Sequence, residues 1–130
     1  MPKTLAVVCP LVVAVLTLSC GDGGTEAQKR GIGAACAMAP DCTETGQSCL
    51  TQFKGGYCGV AGCTADEQCP PGSACVTHDD GMNYCFLVCN VKEDCNRSRG
   101  ADVEANCSST AVLLEAPKDR KVCSPPSSGT

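Results

Sequence analysis

Cysteine is the residue whose number and spacing carry chemistry in this chain: fourteen occur in 130 residues. Thiolates at short paired spacings would bind zinc, whereas thiols exposed to an oxidising compartment would pair as disulfides. No C-x2-C occurs, the closest cysteines after the N-terminal segment are Cys85 and Cys89, and His78 is the only histidine. The spacing is that of a disulfide framework, and neither a metal nor another cofactor is expected. His78-Asp79-Asp80 sets a base beside carboxylates. Catalysis would also need a positioned nucleophile and electrophilic donors. Nothing marks either out, so no catalytic residues are expected. Three polar residues before Gly81 read instead as an exposed hairpin tip. The Asp pair also lacks the ligand periodicity of a calcium loop.

Twelve cysteines form three sets of four: Cys36, Cys42, Cys49 and Cys58; Cys63, Cys69, Cys75 and Cys85; Cys89, Cys95, Cys107 and Cys123. Each set begins C-x5-C, and their first members recur at 27 and 26 residues, an internal repeat. Other residues keep the same register. Asp41, Gln68 and Asp94 each precede the second cysteine. Gly46-Gln47-Ser48-Cys49 matches Gly72-Ser73-Ala74-Cys75, and Tyr57 and Tyr84 precede the fourth cysteine where the third set has Val122. Between third and fourth cysteines, Lys54-Gly55-Gly56 and Asp79-Asp80-Gly81 supply residues able to take positive φ, which predicts a short hairpin. Longer loops set the third unit apart. If bridges stay within units, three pairings each give 27 combinations by 3×3×3. The arrangement common in small extracellular modules, first with third and second with fourth, is the one expected.

Composition requires such staples. From Cys36 to Cys123 only thirteen of 88 residues are Leu, Ile, Val or Phe, and the chain has no Trp. So few apolar side chains cannot offset the entropy of ordering the backbone. The expected fold is small and disulfide-rich: three consecutive four-cysteine modules (34–60, 61–86 and 87–123) with short β-hairpins and little regular secondary structure. Residues 124–130 read as a disordered tail. All fourteen acidic residues follow Cys20, against nine Lys and Arg. A chain of that sign, with scattered basic residues, is not suited to phosphate backbones. Nucleic acid is not an expected partner.

The N-terminus starts with Lys3, continues as an apolar run from Leu5 to Leu18, and breaks at Ser19-Cys20-Gly21. That is the layout of a signal peptide over residues 1–19, too short to span a bilayer comfortably. Ser19-Cys20, preceded by Leu16-Thr17-Leu18, resembles a bacterial lipoprotein signal, with Thr17 standing where Leu is usual. The resemblance implies cleavage before Cys20 and acylation of its thiol and amino group, hence a membrane partner held through more than one acyl chain. Gly21 after the cysteine, rather than Asp, implies the outer membrane. Gly21 to Gly33 (GDGGTEAQKRGIG) reads as a flexible tether. Cysteine parity points the same way: without Cys9 and with Cys20 acylated, twelve remain, an even number.

The spacing of Cys36 to Cys123, as in CTADEQCPPGSAC, resembles cysteine-rich predicted lipoproteins of myxobacteria-like bacteria. It is similar, more loosely, to the amino-terminal cysteine-rich region of Dickkopf proteins. The first resemblance implies an envelope location, and the second implies protein binding. The expected function is therefore that of a non-enzymatic, lipid-anchored envelope protein with a protein or surface ligand. The alternative is a secreted inhibitor or toxin-like module acting through a loop, at Lys54 or at Arg97-Ser98-Arg99. Ala111-Val112-Leu113-Leu114 is either an exposed patch or a strand covering the disulfides. Asn96-Arg97-Ser98 and Asn106-Cys107-Ser108 match the N-glycosylation pattern, and Lys29-Arg30 a processing site, both relevant only to a eukaryotic secretory route.

Overall fold

Each four-cysteine unit opens in the same way, and the residue before its second cysteine explains why. The computed structural model describes residues 31–126. In the first unit Asp41 Oδ2 accepts the backbone N–H groups of Ala37 and Met38 at 2.8 and 3.2 Å. In the third, Asp94 Oδ2 accepts those of Asn90 and Val91 at 3.0 and 3.2 Å. Gln68 Oε1 takes the N–H of Thr64 at 2.6 Å in the second. The side chain folds back onto the residues after the first cysteine and satisfies donors that a short helical turn leaves unpaired. The five residues between the cysteines thus contain a 3-10 turn at Ala39–Asp41 or Asp66–Gln68, or begin the one-turn helix α1 at Lys92–Asn96.

The backbone donors of Asn90 and Val91, with Arg97 adding to them, hold the Asp94 carboxyl below its usual range. A carboxylate depressed by folding stabilises above its unfolded pKa, near about 4, and loses that contribution as pH falls through the folded value. Amide-exchange protection at Asn90 and Val91 is therefore expected to fall below about pH 4. In Asp94→Asn, whose amide oxygen still accepts but does not titrate, it should stay level. Protection in the parent chain that is unchanged into strong acid would contradict this account.

The second half of each unit is the expected hairpin. Strands β1 (Ser48–Cys49) and β2 (Cys58–Gly59) pair antiparallel, as do β3 (Ser73–Thr77) and β4 (Asn83–Cys89). In the third unit β5 (Asn106–Ser108) pairs with β7 (Lys121–Ser124), and β6 (Val112–Leu113) lies in the loop between them. In all three the third and fourth cysteines stand directly opposite: Cys49 with Cys58, Cys75 with Cys85, and Cys107 with Cys123. Opposed residues project to the same face, so each hairpin offers two neighbouring sulfurs to the two cysteines of the preceding loop. The bonds formed are Cys36–Cys49, Cys42–Cys58, Cys63–Cys75, Cys69–Cys85, Cys89–Cys107 and Cys95–Cys123. This is the interlocked pairing in every unit. Cα atoms lie 5.9 Å apart in each first-to-third bridge and 5.4 Å apart in each second-to-fourth bridge, so the repeat is geometric as well as sequential.

The units do not stand apart. Strand β4 carries both Cys85, the last cysteine of the second unit, and Cys89, the first of the third. Only three residues separate them, so the strand continues through both. The result is one five-stranded sheet in the order β5-β7-β4-β3-β6. Ser108 and Val112 end strands at opposite edges of that sheet, four residue steps apart. An extended chain covers about 14 Å in four steps, whereas four strand spacings on a flat sheet need about 19 Å. The sheet must curl. One core fills the curl, drawing Leu50, Phe53 and Tyr57 from the first unit, Val76, Tyr84 and Phe86 from the second, and Leu113 and Val122 from the third.

Two segment boundaries differ from the sequence reading. Residues 31–33, assigned there to the tether, are packed: Ile32 belongs to the core and Gly33 N–H donates to Cys58 O at 2.9 Å. An isolated isoleucine among glycines carries no periodicity, but its side chain has an apolar cluster to enter. At the other end Ser124 closes β7, Pro125 is buried, and Pro126 O accepts the Lys54 N–H at 3.0 Å. The tail assignment fails for 124–126 and lies outside the described residues for 127–130, as do the signal peptide, Cys20 and residues 21–30 of the tether.

Candidate functional site

The disulfide cysteines make the frame of the head. All twelve sulfurs from Cys36 to Cys123 are consumed in S–S bonds. In the first two units the first, second and fourth sulfurs lie within 4.8 Å of one another, and in the third unit the first, second and third do, which brings two bridges side by side rather than presenting free thiolates. Close contact with Cys36 also requires glycine in the first hairpin. A Cβ on Gly56, whose φ is +65°, would stand 2.0 Å from the Cys36 carbonyl oxygen.

His78 does not sit at an exposed tip. Its ring is half-buried and meets Phe53, Phe86 and Tyr84 edge to face at centroid distances of 5.1, 5.7 and 6.1 Å. The sequence treated it with Asp79 and Asp80 as a polar tripeptide, but its apolar ring edges favour the aromatic cluster. Asp79 and Asp80 are exposed as expected. Asp80 is spent on the turn, where Oδ1 accepts the Met82 N–H at 2.9 Å and Oδ2 the Tyr84 hydroxyl at 2.7 Å. Desolvation pushes its pKa up, but these hydrogen bonds outweigh it and hold the carboxyl below its usual value.

Arg99 is the residue with the greatest structural consequence that sequence reasoning missed. The sequence offers it, within Arg97-Ser98-Arg99, as a loop residue of the alternative inhibitor reading, yet it is buried. Its guanidinium donates to Val103 O at 2.7 Å, Gly56 O at 2.8 Å, Lys54 O at 2.9 Å and Gly33 O at 3.3 Å. It also lies 5.7 Å from the centre of the Tyr57 ring. The planar fork, with five donors, matches a set of carbonyls that no single-nitrogen cation could serve. Burial lowers its pKa, with Tyr57 opposing that shift. The Tyr57 hydroxyl is locked in turn, accepting from Leu87 N–H at 3.2 Å and donating to Cys123 O at 3.4 Å. Burial raises its pKa well above the usual phenol value, so it stays protonated. Arg99 is thus the pin between first and third units and is not presented to a protease. Arg97 is exposed but pairs with Asp94 at 3.1 Å, and Lys54 is exposed.

Of the two glycosylation patterns, Asn96 is committed to the fold: Nδ2 donates to Lys92 O and Ala105 O, and Oδ1 accepts the Ala105 N–H. Asn106 is exposed on β5. The run Ala111–Leu114 contains the edge strand β6, with Leu113 buried in the aromatic core and Val112 63% exposed. It covers that core more than the bridges.

The described residues form concave regions in two places. One is a polar cavity of about 190 Å³ beside the β3–β4 turn, reached by His78, Asp79, Asn106 and Ser124. The other is a pair of hollows of about 220 and 280 Å³ on either side of Ile32 and Leu87. Beside the larger hollow, the Gln47 amide has both polar atoms buried without a hydrogen-bond partner. No family model, no curated protein and no solved structure matches the chain.

Proposed function

We propose that the protein is an exported, lipid-anchored cell-envelope protein that displays a rigid, non-enzymatic binding head. The observation that carries the reading is the cysteine inventory. Fourteen cysteines are encoded, and twelve satisfy one another within the head. Cys9 would leave with the signal peptide, so Cys20 is the single mature cysteine with no partner among them. An acylated thiol needs none. From Cys20 to Gly31 the chain spans at most about 40 Å, which would keep the head close to the surface that holds the anchor. The commitment of Asp80 to its turn, where it accepts from Met82 N–H and the Tyr84 hydroxyl, supports a binding role for the head.

Intact-mass measurement on the membrane fraction is expected to show a chain beginning at Cys20 and carrying acyl groups, with six bridges intact. Cys20→Ser should move the head into the soluble fraction. A soluble, unmodified chain in the parent strain would overturn the anchor.

A further inference from the structure

We propose that the cavity beside His78 binds one ring of a neutral saccharide. Its walls come from two units: the β3–β4 turn on one side, the ends of β5 and β7 on the other, with Thr110–Val112 crossing between them. Four polar groups at its edge are unspent, while the Ser108 and Thr110 hydroxyls bond to each other. The His78 imidazole, the Asp79 carboxylate, the Asn106 amide and the Ser124 hydroxyl make no side-chain hydrogen bond among the described residues. Comparable groups nearby are consumed, Asn83 by Cys63 O and Thr77 and Asp80 by Tyr84 and Met82 N–H. Free donors and acceptors in one concavity suit a ligand that both gives and takes hydrogen bonds.

Charge narrows the class further. Neither Lys nor Arg lines the cavity while Asp79 does, so a phosphate or carboxylate would meet repulsion without a compensating cation. Apolar wall is also present, from Val112 and Pro125, and could cover the C–H face of a sugar while the polar edge takes its hydroxyls. Size sets the limit. Drug-sized ligands occupy roughly 300–1,000 Å³, and about 190 Å³ admits a single ring with the rest of a chain outside. Cys75 and Cys123 staple two of the flanking strands, so little ordering entropy is lost on binding.

The inference rests on the reading as a binding protein but not on the anchor. The test uses the full oxidised chain, isotope-labelled and kept in detergent where acylated. It is titrated with glucose, galactose, mannose and N-acetylglucosamine, with glucuronic acid as the anionic comparison. At least one neutral sugar is expected to shift the amide resonances of Thr77–Asp79 and Asn106–Thr110. Asn106→Ala and His78→Phe, which keeps the ring but removes its nitrogens, should each weaken that binding about tenfold, the value of one lost hydrogen bond. Glu44→Gln, away from the cavity, should leave it unchanged. No response at these residues to any neutral sugar, equal binding by glucuronic acid, or undiminished binding in Asn106→Ala would overturn the proposal. The mass of the same sample reports the anchor separately.

Discussion

Full reduction of the head is expected to unfold it outright, with loss of amide dispersion and of protection throughout residues 31–126. The reason lies in what fills the interior. Of the eight largest fully buried side chains, four are half-cystines: Cys58, Cys75, Cys85 and Cys123, beside Tyr57, Phe86, Val76 and Val122. Removing the bonds therefore removes both the cross-links and the register of much of the core. Each bridge closes between 12 and 28 residues. In the chain-entropy account a closure of that size contributes on the order of 3 kcal/mol. Six such terms exceed the roughly 5–15 kcal/mol net stability of ordinary domains. The logarithm also makes the bridges similar in value, with the longest and shortest differing by only about 0.7 kcal/mol. Replacing the half-buried Cys36–Cys49 pair with alanines should thus lower stability by about 3 kcal/mol, and replacing a buried pair such as Cys63–Cys75 by more, because it also empties core volume. Native amide dispersion surviving complete reduction, verified by thiol titration, would contradict the argument.

Arg99→Ala should be among the most damaging single substitutions outside the cysteines, with a loss of about 4 kcal/mol. The side chain gathers the carbonyls of Gly33, Lys54, Gly56 and Val103 around one buried guanidinium. Truncation strands those acceptors and opens space beside Tyr57. Arg99→Lys is expected to recover little, because one ammonium cannot reach four acceptors arranged around a planar fork. Denaturant titration of the oxidised proteins measures both. Equal stability of Arg99→Ala and Arg97→Ala would show that Arg99 does not pin the units.

The framework was largely legible because cysteine spacing, the capping residue and the turn glycines all repeat. Three copies of one pattern make each position informative about the others, so Asp41, Gln68 and Asp94 could be matched before their hydrogen bonds were known. The repeat alone leaves 27 pairings open; the interlocked one, expected as the arrangement common in small extracellular modules, is the one formed in every unit. What repetition cannot express is how the copies meet. Arg99 belongs to an insertion found only in the third unit, and its four acceptors are backbone atoms, which leave no mark in side-chain types. The second and third units join in the three-residue gap from Cys85 to Cys89, where the cysteine count places a module boundary at 86/87 and the structure runs one strand, Asn83–Cys89, straight through it. His78 was misplaced because its sequence neighbours are charged while its spatial neighbours, Phe53, Tyr84 and Phe86, come from two separate hairpins. The cavity is less legible still, since His78 and Asn106 are 28 positions apart and meet only when the sheet curls.

The second-to-fourth bridges also set how the head answers tension. Pulled at Gly31 and Pro126, the shortest covalent route runs from Cys36 to Cys42, crosses to Cys58, continues through Cys63 to Cys69, crosses to Cys85, and passes Cys89 and Cys95 before crossing to Cys123. With its three bridge crossings of 5.4 Å each, that route has about two-fifths of the extended length of the chain between Gly31 and Pro126. The hairpin loops hang beside it as slack. Stretching an oxidised head would load this spine, with Phe86, Ser124 and Pro125 of the cavity wall on it, while the wall supplied by β3, β5 and β6 would stay unloaded.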